Sequence, residues 1–233
     1  MSGWSVVRWT GALGLGAVAV QLVGIMIASA AGSAPSVNDP TKLLAFAKTS
    51  HLALTTVELL FLIGFSLFIG FIAGLRAIAV AAAPEREWLA TTTFGAGLAI
   101  AAIGLISTGL ALAAIAIAAS SHSDSAQIRL LFEIERLLGG APWLVPAAFF
   151  FGAAGSLGVT TKILPPWLAL VGWIGSLLSL VAAFSAYGGS DTAVFWSANG
   201  TVTTLAFLPF WVWTLCASVV FLRQKGSVAR LYR

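Results

Sequence analysis

One carboxylate stands inside an otherwise oily stretch of this chain: Glu58, within His51-Leu-Ala-Leu-Thr-Thr-Val-Glu58-Leu-Leu-Phe-Leu-Ile-Gly64. A lone charge deep in a bilayer costs on the order of 2.5–3.5 kcal/mol on insertion scales. It escapes that cost by taking a proton or by sitting in a polar cavity with partners. His51, seven residues earlier, lies two helical turns above Glu58 on the same face, so both can line one path. Thr55 and Thr56 flank Glu58, while Gln21, Ser107 with Thr108, Ser176 with Ser179, and Thr203 with Thr204 fall at similar depth in other apolar runs. The set points to a pocket open to one side of the membrane, with Glu58 at its floor, His51 at its mouth and Gln21, Thr55, Ser107 and Thr204 around it. Such a pocket would bind a cation, a proton or the polar group of an amphiphile. The plainer reading has Glu58 protonated or hydrogen-bonded, tying one helix to its neighbour.

Other chemistries lack their residues. Haem needs imidazoles facing each other across a bundle, and the only histidines, His51 and His122, both fall near the outer surface. No short spacing of metal ligands joins them to acids such as Asp124. Lys42, Lys48, Lys162 and Lys225 all lie outside or at the ends of apolar runs, so no lysine stands ready for a retinal-type linkage. Serine hydrolysis would need a base beside its nucleophile, and no run carries a histidine for that role. Glu133 and Glu135 fall on different faces of one helix, with Arg129 and Arg136 at hand, and a solvated or headgroup-facing role is expected for them. The phosphate-cradling Gly-x-x-x-x-Gly-Lys-Ser/Thr pattern does not occur, which excludes ATP-driven transport within this chain. The single cysteine, Cys216, forms no intrachain disulfide and reads as a small packed hydrophobe. Asn199-Gly-Thr201 matches a glycosylation sequon, but capping or a tight turn explains it more simply. No cofactor is expected and the chain reads as non-catalytic; an intramembrane lipid-modifying enzyme using Glu58 as acid or base is the weakest alternative.

The elements that must position these groups follow from composition. Hydrophobic residues make up 59% of the 233 and charged ones 9%, against about 25% charged in a typical soluble domain. The solvent for most of this surface is therefore lipid. The net charge of +4 sits at the ends of the apolar runs, which speaks for membrane orientation and against nucleic acid. A span needs about 20 apolar residues to cross roughly 30 Å of hydrocarbon. Six runs meet that length, at approximately 10–31, 51–75, 90–118, 141–161, 165–187 and 200–222. The first, with Arg8 before it and Ala28-Ser29-Ala30 at its end, has signal-peptide features but is too long for a signal core, so it is expected to remain as a span. The fold class is thus all-α, a single polytopic domain over residues 1–233 built as a six-helix transmembrane bundle.

With six spans both termini share a side. That side holds Arg8, Arg76, Arg86, Lys162, Arg223, Lys225, Arg230 and Arg233, against Lys42, Lys48, Arg129 and Arg136 opposite. The excess predicts cytoplasmic termini. The outward side carries two amphipathic segments. One is Thr41–Lys48, after a Pro- and Ser-rich turn; the other is 123–138, capped by Ser123 or Asp124, paired at Arg129 and Glu133, and stopped by Gly139-Gly140. Both are expected on the membrane surface or leading at an angle into the next span. Since lipid offers helices no hydrophobic drive to associate, small-residue faces such as Gly70 with Gly74, Gly104 with Ser107, and Gly172 with Ser176 are expected to hold the bundle together. Pro146 and Pro209 predict kinks in the fourth and sixth spans.

The segment Gly158-Val-Thr-Thr-Lys-Ile-Leu164-Pro-Pro-Trp-Leu168-Ala-Leu-Val-Gly172 joins a glycine-rich fourth span, a basic residue and a Leu-Pro-x-x-Leu step into the fifth span. In this it resembles a family of six-span bacterial membrane proteins classed as a domain of unknown function. The resemblance covers most of the chain in layout. It implies a six-helix bundle in the bacterial cytoplasmic membrane and supplies no catalytic or binding residues. The functional expectation is non-catalytic binding, transport or sensing of a small or amphiphilic ligand at Glu58. The alternative is an accessory or scaffold subunit packing on a partner membrane protein or on further copies of itself. The bilayer is the one partner that composition demands.

Overall fold

A computed structural model of the chain describes residues 6–120, 124–189, 194–198 and 200–224. These form α1 (Val6–Ala31), α2 (Pro40–Thr49), α3 (His51–Ala82), α4 (Glu87–Ala119), α5 (Ser125–Gly139), α6 (Ala141–Thr161), α7 (Pro166–Ala183) and α8 (Thr201–Arg223), with no strand among the described residues. Six stretches are long and apolar enough to cross a bilayer: α1, α3, α4 with the turn before it, α5 joined to α6, α7 with the turn after it, and α8. The fold is an all-α polytopic membrane bundle.

Neighbour relations close the spans into a ring: α1 packs on α3, α3 on α4, α4 on α6, α6 on α7, α7 on α8, and α8 returns to α1. Small residues set the approach. A β-carbon at Gly70 would sit 2.9 Å from Leu13, and one at Gly74 would collide with Thr10, so the expected small-residue face of α3 receives α1. Gly172 and Gly155 let α7 meet α6 backbone to backbone, since a β-carbon at Gly172 would lie 3.1 Å from Gly155 Cα. Ser176 adds a hydrogen bond across the same contact, donating to the Ala148 carbonyl at 2.7 Å. Both helices with internal proline, α6 at Pro146 and α8 at Pro209, run unbroken, and Pro209 fills the space beside Gly175.

One face of the bundle carries short turns. There α3 outruns its expected end at 75, continuing past Arg76 to Ala82. The reason lies on α4: Arg76 donates through Nη2 to Glu87 at 2.8 Å and through Nε to Thr91 Oγ1 at 3.3 Å. A charge neutralised between two helices does not end either of them, and the expected 76–89 connection shrinks to a single turn at Pro84–Arg86. The Leu-Pro-x-x-Leu step is a packed corner of this face. Lys162 ends α6 in the left-handed region (φ 56°), Leu164 and Leu168 are buried, and the Leu168 carbonyl accepts from Trp213 Nε1 at 3.2 Å.

The opposite face is loop-rich. Val37, Leu43, Ala47, Ala118 and Ile128 form a small core of their own that clamps α2 and α5 over the end of α4. Asp39 caps α2 by accepting from the Lys42 amide at 3.1 Å, and Asp124 caps α5 through the Ala126 amide at 2.9 Å. The other expected cap, Ser123, lies outside the described residues, as do His122 and Asn199.

Candidate functional site

The ring's interior divides by depth. Toward the short-turn face it is solid aromatic packing: the Phe68 ring lies tilted 4.8 Å from Phe210 and edge-on 5.7 Å from Phe150, and Phe150 meets Trp213 edge-on at 5.4 Å. These four side chains are at most 3% exposed. Toward the loop-rich face the packing opens into a cavity of about 180 Å³ between α3, α4, α5, α6 and α8.

Glu58 reaches this cavity from α3, about 10 Å along the helix from His51 at 1.5 Å per residue. Ser107 and Thr108 reach it from α4, and Glu135 comes down from α5. Ser107 has one hydroxyl proton to give, and two acceptors of α5 share it: the Glu135 carbonyl at 3.2 Å and its carboxyl at 3.4 Å. Glu58 makes no hydrogen bond or ion pair with a described residue. The remaining walls are carbon. Phe61 and Phe65 stand one turn apart on α3 with ring centroids 6.3 Å from each other. Trp143 of α6 and Phe207 of α8 face them as a second pair at 4.3 Å. Gly104 closes the floor, lacking a β-carbon because the Phe65 ring occupies that space. An acceptor-rich, aromatic-walled cup with a sealed base is suited to holding a group rather than passing one through.

The sequence-predicted residues divide. Glu58 and Ser107 meet at the cavity. His51 lies at the head of α3, its Nδ1 3.1 Å from the Lys48 carbonyl and away from the cavity lining. Thr55 is half-buried beside Glu58 on α3 and does not line the cavity. Thr204 is exposed and donates to the Gly200 carbonyl at 3.3 Å; its neighbour Thr203 is the buried one, bonded to Ser185 at 3.2 Å. Gln21 is 2% exposed between α1, α3 and α8, where its Oε1 accepts from Trp211 Nε1 at 2.9 Å and its Nε2 has no partner. Trp211 stacks on Phe207, so Gln21 braces the cavity wall from behind rather than entering the cavity.

No family model, no curated protein and no solved structure matches this chain. The chemistry of the cup therefore carries the functional argument.

Glu135 is the residue that sequence reasoning placed elsewhere. Instead of facing solvent or headgroups it turns inward, on the face of α5 that also bears buried Ile128 and cavity-lining Gly139. Leu130, Ile134 and Leu137 point out of the bundle in its place. The signal was available: Ile128, Phe132, Glu135 and Gly139 follow one helical stripe, and an acid on the packed stripe of an amphipathic helix needs a polar reason to be there. Arg136, beside it, donates from Nη2 to the Pro35 carbonyl at 3.4 Å, fastening α5 to the loop before α2.

Proposed function

We propose that this chain is a multi-pass protein of a bacterial cytoplasmic membrane, with both termini cytoplasmic, that binds a small or amphiphilic ligand without catalysis in the cup beneath α5. The observation that carries the reading is the convergence of Glu58, Glu135 and Ser107 on one aromatic-walled cavity. Two acids are costly to hold charged in a low-dielectric interior; a proton or a bound ligand relieves that cost, and a ligand also fills the cavity between them. The sealed aromatic base favours binding or sensing over conduction. Arg8, Arg76, Arg86, Lys162 and Arg223 border the short-turn face and support its cytoplasmic orientation. The Leu-Pro-x-x-Leu resemblance supports the bacterial membrane.

Native mass spectrometry of the protein released from its own membrane tests the reading. A small-molecule adduct is expected on the wild-type chain and lost when Glu58→Gln and Glu135→Gln are combined. Absence of any adduct, or its retention in the double variant, contradicts the proposal.

One observation favours the scaffold reading as second: a lateral apolar groove of about 340 Å³ along α4, α6 and α7, bordered by Trp88 and Phe149, each more than 60% exposed.

A further inference from the structure

The cavity's donor set narrows the ligand's chemistry. Its polar groups are two carboxyls, Glu58 and Glu135, and the hydroxyls of Ser107 and Thr108. The nearest basic side chain on α5, Arg136, is bonded to the Pro35 carbonyl and is not part of the lining. Arg136 attracts the Glu135 carboxyl from behind the wall, so an anionic ligand entering the cavity would touch only groups that are neutral or negative. A hard metal ion such as calcium takes six to eight oxygens; the four carboxyl and two hydroxyl oxygens here reach only the lower limit, and the rest of the wall is largely ring carbon from Phe61, Phe65, Trp143 and Phe207. Aromatic walls with a carboxylate are instead the chemistry that holds organic ammonium groups, whose charge is spread over carbon-bound hydrogens. Size agrees. An apolar cavity of about 150 Å³ admits benzene, so about 180 Å³ admits a headgroup of similar bulk.

We infer that the cup takes a compact organic ammonium cation, its positive centre between Glu58 and Glu135 and its methyl or methylene groups against the two aromatic pairs. This rests on the ligand-binding reading above and specifies it. Glu58 is the anchor, because its carboxyl makes no hydrogen bond with a described residue while Glu135 already receives Ser107. Phe207 and Trp143 set the fit.

The test compares choline with its uncharged isostere 3,3-dimethyl-1-butanol, using thermal unfolding of the full chain in lipid nanodiscs against sodium chloride at equal ionic strength. Choline is expected to raise the unfolding temperature saturably, and the isostere and sodium are not. Glu58→Gln abolishes the choline effect, Glu58→Asp restores part of it, and Phe207→Leu weakens the midpoint roughly tenfold, the scale of one desolvated cation–aromatic contact. Equal shifts from choline and the isostere overturn the cation assignment while leaving the cup as a binding site. An equal shift from sodium overturns it as well. No shift from either organic probe removes the cation assignment, and an absent native adduct would remove the cup with it. The wild-type comparison needs no variant, so a Glu58→Gln protein that fails to fold does not rescue the inference.

Discussion

The two halves of the ring's interior share α3, α6 and α8 and behave as different materials. Below, Phe68, Phe150, Phe210 and Trp213 interlock, none more than 3% exposed. Above, an equally aromatic wall stops short and leaves a cavity bearing two acids. Since lipid gives helices little hydrophobic reason to associate, close packing must supply the cohesion, and the lower half supplies it. That leaves the upper half free to keep a void and a pair of carboxyls, of which only Glu135 accepts a hydrogen bond from a described residue. Cohesion and recognition are thus separated by depth.

This division can be broken or sharpened by substitution. The largest stability loss is expected from Phe150→Ala in the packed half: on the order of 2–3 kcal/mol, the void's share of the usual aromatic-to-alanine cost, because burial against lipid contributes little. Equilibrium unfolding in mixed micelles would measure it. Gly172→Val should follow at about 1–3 kcal/mol, since its side chain would meet the Gly155 and Phe151 backbone, which cannot move aside. In the cup, Ser107→Ala should cost about 0.5–1.5 kcal/mol by removing the donor to Glu135. Glu58→Gln should cost less than about 1 kcal/mol, there being no hydrogen bond to a described residue to lose. A Glu58→Gln loss equal to that of Phe150→Ala would erase the distinction between the halves.

The smallest effect concerns α2, outside the spans. The hydrogen bond from the Lys42 side chain, and then the one from its amide, hold the Asp39 carboxyl below the ordinary carboxylate range. For an acid whose folded value is lowered, the stabilisation is present above the unfolded value of about 3.9 and lost as pH falls through the folded one. Amide protection across Thr41–Lys48, taken relative to the intrinsic exchange rate at each pH, should be unchanged from neutral pH to about 5 and fall only below about 4. A fall beginning near neutral pH would mean that the cap does not hold α2.

Helix number, the ring's small-residue contacts and the direct α6–α7 corner were legible because length, glycine spacing and the Pro165-Pro166 step are local signals. Glu58 was legible because an acid among apolar residues is conspicuous. The cavity's other half was not. Glu135 belongs to a segment whose several charges suggest a wet surface, and only the tertiary clamp of Ile128 against Val37, Leu43 and Ala118 turns that face inward. Gln21 misled in the opposite way: its polarity and depth suited the pocket, but the glycine at 64 draws it against α3, where Trp211 captures it. Arg76 shortened the expected α3 because its partner Glu87 sits across a turn, a pairing that no single-helix pattern contains.

The most direct test of the sheltered carboxyl is solid-state NMR of the protein in lipid with carbon-13 glutamate, a label confined to Glu58, Glu85, Glu87, Glu133 and Glu135. The Glu58 carboxyl should give through-space contacts to the Phe207 or Trp143 ring and none to acyl-chain methylenes. Contacts to acyl chains without any to those rings would contradict the account.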